Sequence, residues 1–127
     1  MSKIRVLLVD DEEELVSTLA ERLSLRGIEA QWVTNSEEAL RMVRERTYDL
    51  AILDVRIPKI SGLKLKTKMG EIKPGMKFIF LTGHGSEDDF KEGAAEAGAG
   101  YYLVKPVNID ALIKKMEEVI ESEGGVP

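Results

Sequence analysis

The stretch LAILD at residues 50–54 is a run of four apolar residues that ends in an acid. Three further stretches have the same form, an apolar run followed by a polar residue: VLLVDD at 6–11, FIFLT at 78–82 and YYLVKP at 101–106. Such runs are typical of central strands in a parallel sheet, because helices cover both of its faces. Ligands of such a sheet bind outside the carboxyl ends of its strands. The sequence therefore predicts one small site, suited to a divalent cation and a phosphoryl group, that gathers Asp10, Asp11, Asp54, Thr82 and Lys105.

The size and composition of the chain indicate one globular domain. Its 127 residues can bury a core, and 43% apolar with 32% charged residues is typical of a folded protein. The net charge of −5 argues against broad nucleic-acid binding by this domain. The absence of cysteine excludes disulfides and thiolate metal sites. We see no signal peptide and no apolar run near the ~20 residues of a membrane span, so we expect a cytoplasmic protein without membrane contact.

Strand-like and helix-like segments alternate along the chain, which predicts repeated βαβ units. We expect helices over 12–26, 37–46, 87–98 and from 109 onward, with Ser36 and Ser86 as the caps of the second and third of these. Residues 28–33 alternate between apolar and polar, which predicts a strand at a sheet edge with Trp32 on its apolar side. Residues 1–122 are assigned to the domain and 123–127 to a flexible tail.

Residues 61–70 give a conflicting signal. Apolar and polar residues alternate there with a period of two, which by itself predicts a strand. However, the parallel strands predicted on either side require a crossover element between them. We therefore expect a helix in this segment.

The motifs resemble the receiver domain of bacterial two-component response regulators over nearly the whole chain. The matching positions, in the order and spacing of that family, are Asp10-Asp11, Asp54, Pro58, Gly62, Thr82-Gly83, Tyr102 and Lys105-Pro106. The resemblance implies a (βα)5 fold of the flavodoxin-like type, a three-layer α/β sandwich. Its parallel five-stranded sheet would have the order 2-1-3-4-5, an order that flavodoxin-like receivers exemplify.

The resemblance also implies a role for each site residue. Asp54 would be the phosphoacceptor, and Mg²⁺ would be ligated by Asp11, Asp54 and the backbone carbonyl of Arg56, with Asp10 acting through water. Lys105 would contact a phosphoryl oxygen, and the Lys105–Pro106 bond would be cis. Thr82 and Tyr102 would form the switch, which reports to a face made by the predicted helix over 87–98, the last strand and the last helix. Arg56, Gly83 and His84 would tune the reaction with water.

Each of these residues also has a structural interpretation. A strand-end aspartate can cap a loop, an acid pair can begin a helix, and a lone lysine is most often solvated. Thr82 and Tyr102 would then simply complete apolar strands. Residues 59–77 contain six lysines and only one glutamate. This excess of positive charge indicates a solvated basic face or a docking patch.

The function implied is that of a signalling module. It would take a phosphoryl group from a sensor histidine kinase or a phosphotransfer protein and act on an unknown downstream protein, with homodimerisation left open. It would not be an enzyme, although it would promote its own phosphorylation and dephosphorylation. The alternatives are a degenerate receiver that serves as a binding scaffold, and an aspartyl-phosphate phosphatase. The phosphatase is disfavoured because Arg56 stands where many such enzymes have a second acid.

Overall fold

The computed structural model describes residues 3–83 and 102–125. Within these ranges the chain forms five strands and four helices. The strands are β1 (Arg5–Val9), β2 (Glu29–Val33), β3 (Leu50–Asp54), β4 (Lys77–Thr82) and β5 (Tyr102–Val104). The helices are α1 (Glu13–Leu25), α2 (Ser36–Glu45), α3 (Gly62–Ile72) and α4 (Ile109–Gly125). The predicted helix over 87–98, with its cap Ser86, lies outside the described residues.

The five strands form one parallel sheet in the order β2-β1-β3-β4-β5. This is the predicted order, and β2 lies at the predicted edge. The apolar run of β3 is buried at every position, as expected for a strand with helices on both sides. The carboxyl ends of β1, β3, β4 and β5 therefore meet along one rim of the sheet.

Two hydrophobic cores lie on opposite faces of the sheet. Alternate residues of β1 supply them, since Val6 packs in the core with α1 and α4 while Leu7 packs in the core with α2 and α3. The buried residues of the helices recur at helical spacing, as Leu65 and Met69 do in α3. The result is the predicted three-layer sandwich. Among the described residues, no helix combines the length and apolar character that a membrane crossing needs.

Several element boundaries differ from those expected from the sequence. The predicted cap of α2 is wrong by one residue: Ser36 is the first helical residue, and the Asn35 side chain accepts a hydrogen bond from the Glu38 N–H at 2.8 Å. Trp32 does not face the core. It is 37% exposed, and Val33 is the one buried residue of β2. α4 runs to Gly125, so the predicted start of a tail at residue 123 lies inside the helix.

The structure resolves the conflict over residues 61–70 in favour of the helix. Ser61 caps α3 by accepting a hydrogen bond from the Lys64 N–H at 3.2 Å. The alternating pattern misleads because most of its polar members are lysines, whose long side chains are tolerated on several faces of a helix. Lys66, for example, is half-buried with its ammonium 5.6 Å from the centre of the Phe78 ring.

Candidate functional site

Four of the predicted site residues lie at the carboxyl rim of the sheet. Asp10 follows β1, Asp54 ends β3, Thr82 ends β4 and Lys105 follows β5. Asp10, Asp54 and Thr82 are buried, each at most 6% exposed. The Lys105 backbone N–H donates to the Thr82 carbonyl at 2.8 Å, which fixes where the lysine leaves the sheet. The Lys105–Pro106 peptide bond is cis, as the family resemblance implies.

The Lys105 ammonium is the centre of this group of side chains. Its Nζ lies 2.8 Å from Glu12 Oε1, 2.9 Å from Asp10 Oδ2 and 3.3 Å from Asp54 Oδ2. The side chain of Lys105 is only 14% exposed. Lys105 therefore points directly at Asp54 and neutralises part of the charge of three acids.

The electrostatics of the site follow from burial and from this crowding. Burial raises the pKa of the Asp54 carboxyl to about 6, and repulsion from Asp10 adds to the rise. Lys105 and the Arg56 backbone N–H, which donates to Asp54 Oδ1 at 3.2 Å, oppose this rise only in part. Burial disfavours the charged Lys105, but its contacts with Glu12 and Asp10 outweigh burial and raise the pKa of the ammonium. Lys105 is thus a permanent cation at neutral pH.

The three acids around Lys105 could together hold a metal ion. Carboxylate oxygens of Asp10, Glu12 and Asp54 all lie within 4.8 Å of one another. With Lys105, these groups leave a formal charge of −2 when all are ionised. Oxygen ligands and this residual charge suit a hard divalent cation such as Mg²⁺. The donor set of the site therefore fits the metal that the family resemblance implies.

The metal-binding residues expected from the sequence do not all belong to this group. Asp11 is exposed and is not a member of it, whereas Glu12, which the sequence did not single out, is. The Glu12 backbone N–H donates to Asp10 Oδ1 at 2.9 Å, so the chain turns back over the site after β1. The run of acidic residues from Asp10 to Glu14 was the sequence signal for Glu12. The sequence alone does not indicate which of these side chains points toward the site. Ligation by Asp11 and by the backbone carbonyl of Arg56 stays a prediction.

Thr82 and the residues after it form the remaining side of the rim. The Thr82 hydroxyl is buried and has no hydrogen-bond partner among the described residues, which suits a donor to a ligand oxygen. Tyr102 pairs with Phe80 in the sheet register and is 37% exposed. Gly83 directly follows β4 and is half-buried. His84 lies outside the described residues, so its tuning role stays a prediction, as do those of Arg56 and Gly83.

The loop between β3 and α3 brings the start of α3 against the site. The Gly62 N–H donates to the Val55 carbonyl at 2.8 Å. A Cβ atom on Gly62 would lie 2.2 Å from the carbonyl oxygen of Asp54, so only glycine fits here. In the same loop Lys59 has a φ of 78° and forms a salt bridge with Glu37 of α2. The backbone under Asp54 is therefore held by close packing.

A cleft among the described residues lies away from this site. It encloses about 760 Å³ at the amino ends of β1 and β2, where Arg5, Gln31, Arg46 and Tyr48 line it. It lies at the opposite rim of the sheet from Asp54, and the group of carboxylates does not contribute to it. The candidate site is therefore identified by its chemistry and not by this cleft.

Comparison with known proteins identifies the class of protein that this fold and site define. The family described as response regulator receiver domain matches residues 6–117, and the chain belongs to this family. The transcriptional regulatory protein GlrR of Escherichia coli (strain K12) is 34% identical over 116 residues, which cover 91% of this chain and 26% of the relative. PrrA of Mycobacterium tuberculosis is 32% identical over 120 residues, which cover 94% of this chain and 51% of the relative. The chain thus spans between a quarter and about half of these regulators.

Solved structures agree with this assignment. A CheY-like receiver domain protein from Methanospirillum hungatei superposes with a TM-score of 0.87 at 30% identity, and the match covers 97% of this chain and 98% of that one. A receiver domain protein from Clostridium thermocellum superposes with a TM-score of 0.85 at 32% identity, covering 95% and 97% of the two chains. Both neighbours are matched over almost their entire length, which supports the receiver-domain fold.

Proposed function

We propose that this receiver domain accepts a phosphoryl group on Asp54 from the phosphohistidine of a sensor kinase or phosphotransfer protein, with Mg²⁺ bound beside it. The observation that carries this proposal is the position of Lys105 Nζ, 3.3 Å from Asp54 Oδ2 inside a buried acidic site. A buried aspartate with a purely structural role would need only a hydrogen bond to satisfy its carboxylate. A buried aspartate with a second acid and a lysine is instead equipped to receive a group that carries negative charge.

The chemistry of the transfer can be assigned to the residues of the site. With a pKa of about 6, Asp54 is mostly ionised at neutral pH and can act as the nucleophile. One Asp54 carboxylate oxygen would form a bond to phosphorus while the phosphorus–nitrogen bond of phosphohistidine breaks, and the electron pair leaves with the imidazole. Lys105 and the Thr82 hydroxyl would contact phosphoryl oxygens. The metal would supply neutralisation of the charge on those oxygens.

Hydrolysis of the aspartyl phosphate would end the signal, and Arg56 and His84 would influence the access of water. The switch would consist of Thr82, drawn toward the phosphoryl group, and Tyr102 on the neighbouring strand. Its output face would include β5 and α4. Phosphorylation must favour the active state by ~5.5 kcal/mol to reverse a 1:99 population. We place the domain in the cytoplasm, with a downstream protein that remains to be identified.

Phosphorylation by a small donor tests this proposal. The protein is incubated with phosphoramidate, whose phosphorus–nitrogen bond mimics that of phosphohistidine, with and without Mg²⁺, and its intact mass is measured. We expect one added phosphoryl group only with Mg²⁺, and none on Asp54→Asn. Asp110→Asn is the matched control, because it makes the same change at an exposed position of α4. Phosphorylation of Asp54→Asn to the wild-type level would refute the assignment.

Two alternatives predict other outcomes in the same assay. A scaffold with a degenerate site would gain no phosphoryl group from any donor. A phosphatase would turn over p-nitrophenyl phosphate rapidly, whereas a receiver should release product no faster than its own aspartyl phosphate is hydrolysed. No described residue favours the phosphatase, since Arg56 stands two residues after the nucleophile and is exposed.

A further inference from the structure

Glu12 makes the shortest contact to Lys105, although the proposed transfer assigns it no contact with the phosphoryl group. Its Oε1 lies 2.8 Å from Lys105 Nζ, compared with 2.9 Å for Asp10 and 3.3 Å for Asp54. The side chain of Glu12 is 62% exposed, whereas those of Asp10 and Asp54 are 1% and 8% exposed. One partner of Lys105 is therefore solvated and two are buried.

The position of Glu12 in the fold leaves its side chain available for the contact with Lys105. Glu12 is the N-cap residue of α1, yet its side chain makes no capping hydrogen bond. Good N-cap residues are short and bond to the first N–H groups of the helix. The Glu12 backbone is nevertheless fixed, because its N–H donates to Asp10 and its carbonyl accepts from Val16 at 3.0 Å. A rigid backbone thus presents a long acidic side chain to Lys105.

An ammonium group has three N–H donors, and here it faces three carboxylates. A phosphoryl group on Asp54 would bring further oxygens that compete for the same donors. Releasing Asp10 would leave a buried charge without its partner, which is costly. Releasing Glu12 costs little, because water can solvate an exposed carboxylate and an exposed ion pair is weak. Glu12 is therefore the partner that Lys105 can exchange.

We propose that Glu12 is a positioning residue that holds the Lys105 ammonium in the resting protein and competes with a phosphoryl group on Asp54 for that ammonium. The holding part of this inference rests on the structure alone, and the competing part rests on the proposed function. Two measurements separate them.

The first measurement tests the holding contact without metal or phosphate. The ammonium hydrogens of Lys105 are observed by ¹⁵N NMR in buffer with a chelator, and their exchange with water is timed. In Glu12→Gln we expect the exchange to be several-fold faster, because one of the three acceptors loses its charge. Glu13→Gln removes the same charge from the first turn of α1 at an exposed position and should leave the exchange as in the wild type. Equal exchange in Glu12→Gln and Glu13→Gln would overturn the proposal.

The second measurement tests the competition with beryllofluoride as the phosphoryl mimic, titrated at saturating Mg²⁺. We expect Glu12→Gln to bind it roughly two- to fivefold more tightly than the wild type, the range that an exposed ion pair can supply. Glu13→Gln should match the wild type. In a Lys105→Met background, Glu12→Gln should have no effect, because Glu12 acts through Lys105.

Unchanged or weaker binding by Glu12→Gln contradicts the competition. An equal gain in beryllofluoride affinity from Glu12→Gln in the Lys105→Met background also contradicts the competition. It would mean that Glu12 acts through the metal or the overall charge. Failure of the wild type to bind beryllofluoride at all would overturn the proposed function and the competition together. The exchange rate of Lys105 would still decide whether Glu12 holds the ammonium.

Discussion

At the scale of single residues, Asp54 is in an unfavourable environment that its proposed role as phosphoacceptor would explain. It is buried beside Asp10, and its pKa is raised to about 6 from the ordinary value of 3.8. The folded protein therefore holds the proton more tightly than the unfolded chain does. The free-energy cost of holding ionised Asp54 in the folded protein is absent below pH 3.8 and complete above pH 6. Asp54 therefore lowers the free energy of unfolding at neutral pH.

Replacement of Asp54 by asparagine should accordingly stabilise the metal-free protein. We expect Asp54→Asn to raise the free energy of unfolding by about 1–3 kcal/mol at pH 7.5, from a shift of about two pKa units. The gain should shrink as the pH falls through 6 and vanish near pH 4, where wild-type Asp54 is already neutral. Urea unfolding with a chelator at several pH values measures it. A gain that is independent of pH would show that relief of charge is not its cause.

The residue scale is also where sequence reasoning reached its limit. The convergence of Asp10, Asp54 and Lys105 was predictable, because each follows an apolar run and parallel strands end at one rim. The contact of Glu12 with Lys105 was not, because adjacent residues of a turn point in different directions that spacing does not encode. Predicting it would have required the hydrogen bond from Glu12 back to Asp10, which exists only in the folded loop.

At the scale of elements, the packing of α3 against the end of β3 is the tightest feature near the site. We expect Gly62→Ala to destabilise the protein by about 2 kcal/mol or more, because its Cβ would lie 2.2 Å from a backbone oxygen of Asp54. Phosphorylation by a small donor should slow as well, because the clash displaces the backbone that carries the nucleophile.

Gly70→Ala is the matched control for this substitution. Gly70 lies inside the same helix, and a Cβ there would meet nothing within 4 Å. Its replacement should stabilise the protein by roughly 0.5–1 kcal/mol, because alanine loses less backbone freedom on folding. Thermal unfolding of both variants makes the comparison. Similar effects at the two positions would mean that the close approach at Gly62 is relaxed at no cost.

The N-terminus of α2 gives a second prediction at this scale. Asn35→Ala should lower stability by about 1 kcal/mol, since it removes the acceptor for the Glu38 N–H, while Ser36→Ala should change it much less. Chemical denaturation of the two variants decides between the caps. The sequence could not, because Asn35 and Ser36 are both good caps and helix ends are the least certain part of any pattern.

Topology was easier to predict than these boundaries. The helix at Gly62–Ile72 was predicted against its own alternating pattern, because two parallel neighbours need a crossover between them. The long-range rule was the better guide, because β3 and β4 are adjacent and parallel, and such a pair needs a crossover outside the sheet. The exposure of Trp32 was not predictable, because packing at an edge strand depends on what covers it.

At the scale of the whole molecule, the charge of the site should link cation binding to folding. The excess of acids over Lys105 is relieved only when a cation binds the folded state, so Mg²⁺ should raise the midpoint of thermal unfolding. A concentration ten times the dissociation constant should add about 1.4 kcal/mol. Asp10→Asn and Asp54→Asn should respond much less. Sodium chloride at matched ionic strength is the control, and an equal response to it would contradict a specific site.

The central strands are covered on both faces, and this affects what fixes their register in the sheet. In a strand with one wet face, a slip of one residue exposes apolar groups to water, but β3 is buried at all five positions and has no wet face. Its apolar side chains would be equally hidden after such a slip, and only Asp54 would be carried to a depth where no cation reaches it. Asp54, the proposed phosphoacceptor, would thus also help to fix the register of β3 in the sheet.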